Sequence, residues 1–275
     1  MPNHIRNRVT LIGETSIVNQ LIETFSTHFP KTVRKSFDGD LIFINKTSGE
    51  PGWFNISTGI FKRRDNEDVD IIPEGFEQEY DKEWTRFPDF NKIIPMPKQL
   101  EISSDSWLMP LENQFQQHIP LKGHLDSMRN VLEVRTENKS EIIENFIQGV
   151  RNYIDFGSAT WHDWSRKNWG TKWNSYECNK ISKNVYEFDT AWSGVYDLIN
   201  KMSVQFPDVK IEYEYSDEDT GSNCGYATFI NGKGEFIRLK SQSKEAYDLA
   251  FKLRPDNLQN FELIGGNWIS KDEEE

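Results

Sequence analysis

The chain has 275 residues, 36% of them hydrophobic, and a formal net charge of −12; its mean hydropathy is −0.71. No apolar run approaches the roughly 20 residues that a membrane helix needs. The opening MPNHIRNRVTLIG lacks an apolar signal core, so the expected setting is the cytoplasm, with no membrane partner. The acidic balance disfavours extended phosphate backbones except where a local basic patch overrides the field.

Residues 5–12 read as a strand that ends at Gly13. Ile17, Val18, Leu21, Ile22 and Phe25 then share one face at helical spacing, with Thr15 or Ser16 as the cap and Phe29-Pro30 as the stop. Residues 37–63 suggest a hairpin in which LIFIN and WFNISTGIFK flank the turn SGEPG. From Asp65 to Glu83 nine carboxylates meet one lysine, which reads as a solvated surface. FPDFNKIIPMPK, residues 87–98, carries three prolines and is expected to run extended along an edge or over the surface. Residues 100–135 carry little pattern, and a helix follows at 140–154 with the stripe Ile142, Ile143, Phe146, Ile147 and Val150.

The second half alternates more cleanly. Residues 172–181 and 184–191 read as antiparallel strands, and Ser193 as the cap of a helix that faces inward through Val195, Leu198, Ile199 and Met202. Strands are expected at 209–216, 224–231 and 234–240, and a helix at 243–253. With residues 30–168 set aside, the order is β, α, β, β, α, β plus extra strands. That is an α+β chain with a ferredoxin-like sandwich, an antiparallel sheet with helices on one face. The expectation is one domain, 1–270, with core 1–29 and 169–253, insertion 30–168, and an acidic tail, 271–275.

Strand alternation sorts the candidate sites. Tyr186 and Phe188 share a face, as do Ile211, Tyr213 and Tyr215, and the helices should cover that side. Glu187, Asp189, Glu212 and Glu214 should then form a free acidic face; with Asp68 and Asp70 they are the candidate partner-binding residues. Short basic segments, Lys31, Arg34, Lys35, Lys62, Arg63 and Arg64, are the nucleic-acid alternative. Trp161, Trp164, Trp169, Trp173 and Trp192 read as a structural cluster, with Trp169, Thr171 and Trp173 on one side of an extended NWGTKWN. The five histidines show no HExxH or HxxxH spacing, and no P-loop, GxGxxG or GxSxG is present. No cofactor, metal or catalytic residue is expected, and His162 beside Asp163 marks the weaker enzymatic alternative. The turn 217-DEDTG-221 reads as a solvated hairpin end. Cys178 and Cys224 fit no CxxC site and are expected reduced.

Several motifs together carry a resemblance: Asn3 with Asn7-Arg8-Val9-Thr10, FNKIIPMP at 90–97, NWGTKWN at 168–174, Phe188 with TAWS at 190–193, Phe206-Pro207, and Gly225. They resemble the YubB-type ferredoxin-like family of phage and conjugative-plasmid proteins without an assigned activity. The chain has Gly194-Val195 where that family's pattern has prolines. The resemblance implies the ferredoxin-like fold and a mobile-element origin, and brings no catalytic residues. With the acidic surface, it leads us to expect a non-enzymatic accessory protein that acts on a host protein with a basic surface, for instance to counter a host defence system.

Overall fold

The structure, a computed structural model, describes residues 3–31, 41–48, 50–54, 61–63, 68–69, 72, 74, 76–79, 83–102 and 139–271. The chain divides into two compact units, Met1–Ser26 with Phe87–Glu275, and Thr27–Arg86. The described residues between Phe87 and Asn168, expected as part of an insertion, thus belong to the unit that holds the ferredoxin-like core.

In that unit the elements run β1 (His4–Ile12), α1 (Thr15–Thr24), α2 (Phe90–Ile93), α3 (Lys139–Phe156), α4 (Trp161–Asn168), β2 (Tyr176–Ser182) and β3 (Val185–Ala191). They continue as α5 (Tyr196–Gln205), β4 (Lys210–Asp217), β5 (Gly225–Ile230), β6 (Lys233–Arg238), α6 (Lys244–Leu253), β7 (Phe261–Ile264) and β8 (Asn267–Ser270). Six strands form one sheet in the order β6-β5-β4-β1-β3-β2, with antiparallel neighbours throughout. The stretch β4-β1-β3-β2 is the ferredoxin-like order, and β5 and β6 extend it at the β4 edge.

Alternation explains the layering. Ile5, Val9 and Leu11 of β1 are buried, as are Phe188, Ile211 and Tyr213 on its neighbours. Val18 and Leu21 of α1 join them in one cluster with Leu198, Ile199 and Met202 of α5. Each such side chain contributes about 1.5–3 kcal/mol by leaving water. The opposite face is not bare. Helix α6 packs against β1 and β4 there, with its own small cluster of Cys224, Ala246, Leu249, Ala250 and Leu253.

Several local expectations change. Glu14, rather than Thr15 or Ser16, caps α1 by accepting from the Ser16 amide, and α1 ends at Thr24, before Phe29-Pro30. Ser193 does not cap α5; its carbonyl instead accepts from Thr190 Oγ1 at 2.7 Å. Residues 87–98 do not run over the surface: Phe87, Asp89 and Phe90 are buried, and Asp89 caps the single turn α2 through the Asn91 amide. Asn174 locks that turn to the segment leading into β2, since its Oδ1 accepts from the Phe90 amide (2.9 Å) and its Nδ2 donates to Asp89 (2.7 Å). In α3, Phe146 and Val150 pack toward Ala159, whereas Ile143 and Ile147 of the expected stripe are exposed.

The second unit holds a five-stranded antiparallel sheet in which Leu41–Asn45 lies between Pro51–Phe54 and Phe76–Gln78. The expected hairpin is present, but its second limb is two strands, Pro51–Phe54 and Phe61–Arg63, with Asp68–Val69 at the edge. A separate ladder pairs Thr27–Phe29 with Trp84–Arg86, where the Phe29 and Trp84 rings stack at 4.1 Å.

Candidate functional site

The expected acidic face is the first place to test. Glu187 and Asp189 are only 6% and 5% exposed. The β1–β3 register sets Arg6 opposite Asp189 and Arg8 opposite Glu187. Arg6 holds both Asp189 oxygens, at 2.5 and 3.2 Å, and Arg8 meets Glu187 at 2.5 and 2.8 Å. The hydrogen bond to Asp189 raises the Arg6 pKa against the opposing effect of burial. Glu214 is taken by Lys252 of α6 and Glu212 by Lys210. A free acid face is therefore not what forms at Glu187 and Asp189. Cross-strand pairing turns Glu187 and Asp189 inward, because a buried charge is tolerated only with a partner, while Glu212 stays partly exposed. Of the remaining candidates, Lys31 follows the strand Thr27–Phe29, and Lys62, Arg63 and Asp68 lie on strands of the second unit. Asp70, Arg34, Lys35 and Arg64 lie outside the described residues.

On the apolar face one polar chain runs through the core. The Val195 amide donates to the Tyr213 hydroxyl (2.7 Å), which donates to Asn7 Oδ1 (2.6 Å). Asn7 Nδ2 donates to Thr190 Oγ1 (2.9 Å), which donates to the Ser193 carbonyl. Burial pushes the Tyr213 hydroxyl well above its ordinary pKa, so it stays a donor. Both ends of the turn 193–195 are thus fastened to the middle of the sheet. A Cβ on Gly194 would stand 2.7 Å from the Tyr215 ring and 2.8 Å from the Tyr213 hydroxyl, and a proline at 195 would lack the donated amide. Gly194 and the Val195 amide are thus matched to Tyr215 and Tyr213.

The five tryptophans do not act alike. Trp164 and Trp169 are core residues set edge-to-face at 5.6 Å, and Trp169 Nε1 donates to the Ile94 carbonyl at 3.0 Å. Rings continue from Trp169 to Phe90 and from Phe90 to Phe188, which joins α4 and α2 to the sheet. NWGTKWN is not extended at its start: Trp169 ends α4, Gly170 takes φ +77, and β2 begins only at Tyr176. Gly170 supplies the left-handed residue that follows a helix end. Thr171 is buried and its hydroxyl donates to the Ala191 carbonyl (2.8 Å) and accepts from the Ala191 amide (3.1 Å).

That arrangement presents Trp192. It is 41% exposed, and its φ of +70 lies in the left-handed region that costs a side-chain-bearing residue about 1–2 kcal/mol. Its backbone is held at both ends: the amide donates to the Asn3 carbonyl (2.9 Å) and the carbonyl accepts from Asn223 Nδ2 (3.3 Å). Asp217, expected to be solvated, is instead 5% exposed and accepts from Asn3 Nδ2, Asn223 Nδ2 and the Asp219 amide, each at 3.1 Å. Arg166 and Lys172 place their cations 5.8 and 5.4 Å from the Trp192 ring centre, and Lys172 also lies 4.7 Å from that of Trp173.

His162 is buried against this group, edge-on to Trp161 and Trp192, with Nδ1 3.2 Å from Asp163. Burial, then Arg166 and Lys172, lower its pKa, while burial raises that of Asp163. Nearby, burial pushes Tyr176 up to about 12. Its hydroxyl stays protonated and lies within hydrogen-bond distance of His4 Nδ1, at 2.7 Å.

The fold is ferredoxin-like with an extended sheet, and Trp192 with Arg166 and Lys172 forms an exposed aromatic–cation group at one end of that sheet; the second unit holds another, Trp84 and Phe29 with Arg86. Residues 168–254 match a family model described as "Ferredoxin-like domain in Api92-like protein". Among solved structures, the crystal structure of a protein api92 from Yersinia pseudotuberculosis is similar at 12% identity and a TM-score of 0.31, covering 87% of this chain and 99% of that one. No curated protein matches the chain. No helix among the described residues is long and apolar enough to cross a membrane.

Proposed function

We propose that the chain is a non-enzymatic binding protein that works by protein–protein contact. The observation that carries this reading is Trp192, an exposed indole fixed in a costly backbone conformation by a satisfied hydrogen-bond frame. Tryptophan, with tyrosine and arginine, is enriched among interface anchors. The enzymatic alternative draws less support, because His162 is buried among rings and kept neutral. A host partner with a basic surface would have to compete with Lys252 and Lys210 for Glu214 and Glu212, which moves the weight away from the sheet face.

A phage or plasmid setting, and with it the counter-defence role in a bacterial cytoplasm, rests on the motif resemblance. The tagged chain, expressed in a bacterial host, is expected to bring down a stable protein partner in stoichiometric amount. Recovery of no such partner, with salt-sensitive binding of DNA or RNA fragments instead, would favour the nucleic-acid alternative. The counter-defence role is read separately, as a rise in phage plating on defence-carrying cells that express the chain.

A further inference from the structure

We infer that the Trp192 end of the sheet docks a short acidic segment of a partner protein, with carboxylates meeting Lys172 and Arg166 and an apolar side chain lying against the indole. This rests on the reading of the chain as a binding protein and adds the chemistry of the partner.

Three observations converge on it. The first is conformational. A residue at φ +70 is better served by glycine, so Trp192 costs the fold backbone energy, and its 41% exposure returns only part of an indole's burial. The frame of Asn3, Asn223 and Asp217 nevertheless fixes the residue, so the ring is presented with little further ordering to be lost on binding.

The second is electrostatic. Lys172 stands between the Trp173 and Trp192 rings, and Arg166 is steadied by Asp163 at 3.8 Å. Both are cations beside an apolar surface, the combination that recognises a carboxylate next to an apolar side chain.

The third limits the size of the ligand. The chain carries −12 overall, and the neighbouring turn holds exposed Glu218 and Asp219. A phosphate backbone tracking across the surface would meet those acids, whereas a segment with one or two carboxylates ends at the two cations.

The test is fluorescence anisotropy on the full chain with three labelled probes: a short glycine–serine peptide carrying two glutamates and one leucine, its counterpart with lysines in place of the glutamates, and an oligothymidine. The acidic peptide is expected to bind and the other two not. Trp192→Gly and Lys172→Glu should each weaken binding at least about tenfold, at an unchanged circular dichroism spectrum. Lys183→Glu should leave it within about twofold, since Lys183 lies at the opposite end of the sheet, against Thr15. Absence of acidic-peptide binding, equal binding by all variants, or preference for oligothymidine would each overturn the assignment. If the peptide fails while a partner is still captured from cells, the acidic chemistry falls and the binding reading stands; if capture fails as well, both fall.

Discussion

Strand β1 belongs to two different environments. Its odd residues, Ile5, Asn7, Val9 and Leu11, face a mostly apolar layer under α1 and α5, where one amide is tied to Tyr213 and Thr190. Its even residues Arg6 and Arg8 face an ionic layer beneath α6, paired with Asp189 and Glu187. The two faces differ in chemistry but share an outcome: at the centre of the sheet, polar groups find partners inside the fold. A residue's capacity to bind something else is what its internal partners leave over. At the sheet's Trp192 end there remain an exposed ring, Lys172 beside it, and Arg166, whose contact with Asp163 is a long 3.8 Å.

Substitutions can break this comparison in order of expected effect. Asn7→Leu should cost the most, about 4 kcal/mol, because it takes the acceptor from the buried Tyr213 hydroxyl and the donor from Thr190 Oγ1; the urea midpoint measures it. Arg8→Leu should follow at about 3 kcal/mol by leaving Glu187 buried with a weaker partner, and Arg8→Leu with Glu187→Leu should recover much of that loss. Tyr213→Phe should cost about 2 kcal/mol, since the Val195 amide and Asn7 Oδ1 both lose a partner. A double change that recovered nothing on the ionic face, or an Asn7→Leu chain as stable as the wild type, would show that the faces are not closed as described.

The smallest effect is a pH dependence. His162 has its pKa lowered by burial, so protonation penalises the folded state. The penalty is absent well above the unfolded value of about 6.5, grows as pH falls from there to the folded value, and stays constant below it. Stability should therefore fall on acidification through that window, and His162→Gln should flatten the curve. The raised Asp163 pKa acts with the opposite sign, in a more acidic window.

Periodicity made much of the core legible. The strands at 184–191, 209–216 and 224–231 and the inward face of the second helix follow directly from alternation and helical spacing, and they suffice for the ferredoxin-like order. Alternation also assigned Glu187 and Asp189 to the face opposite the aromatics. It could not show that Arg6 and Arg8 sit across from them, because register is a property of two strands. The tail helix was visible as a helix, but nothing in its own sequence says that it covers the second face. Asp217 and Asn3 are 214 positions apart, so a turn of apparently solvated acids gave no hint of the frame around Trp192. Helix α2 was obscured by the flanking Pro88, Pro95 and Pro97, which argue correctly against a strand yet allow one capped turn between them. A positive φ at a tryptophan has no local sequence signal at all.

The most direct measurement is quantitative capture of cellular proteins on three immobilised chains: wild type, Trp192→Gly, and the sheet-face variant Glu212→Lys with Glu214→Lys. If the sheet faces are closed and binding falls to the Trp192 end, partners should disappear with Trp192→Gly and persist with the sheet-face variant. Loss on the sheet-face variant with retention on Trp192→Gly would contradict that assignment and return the binding surface to the carboxylates.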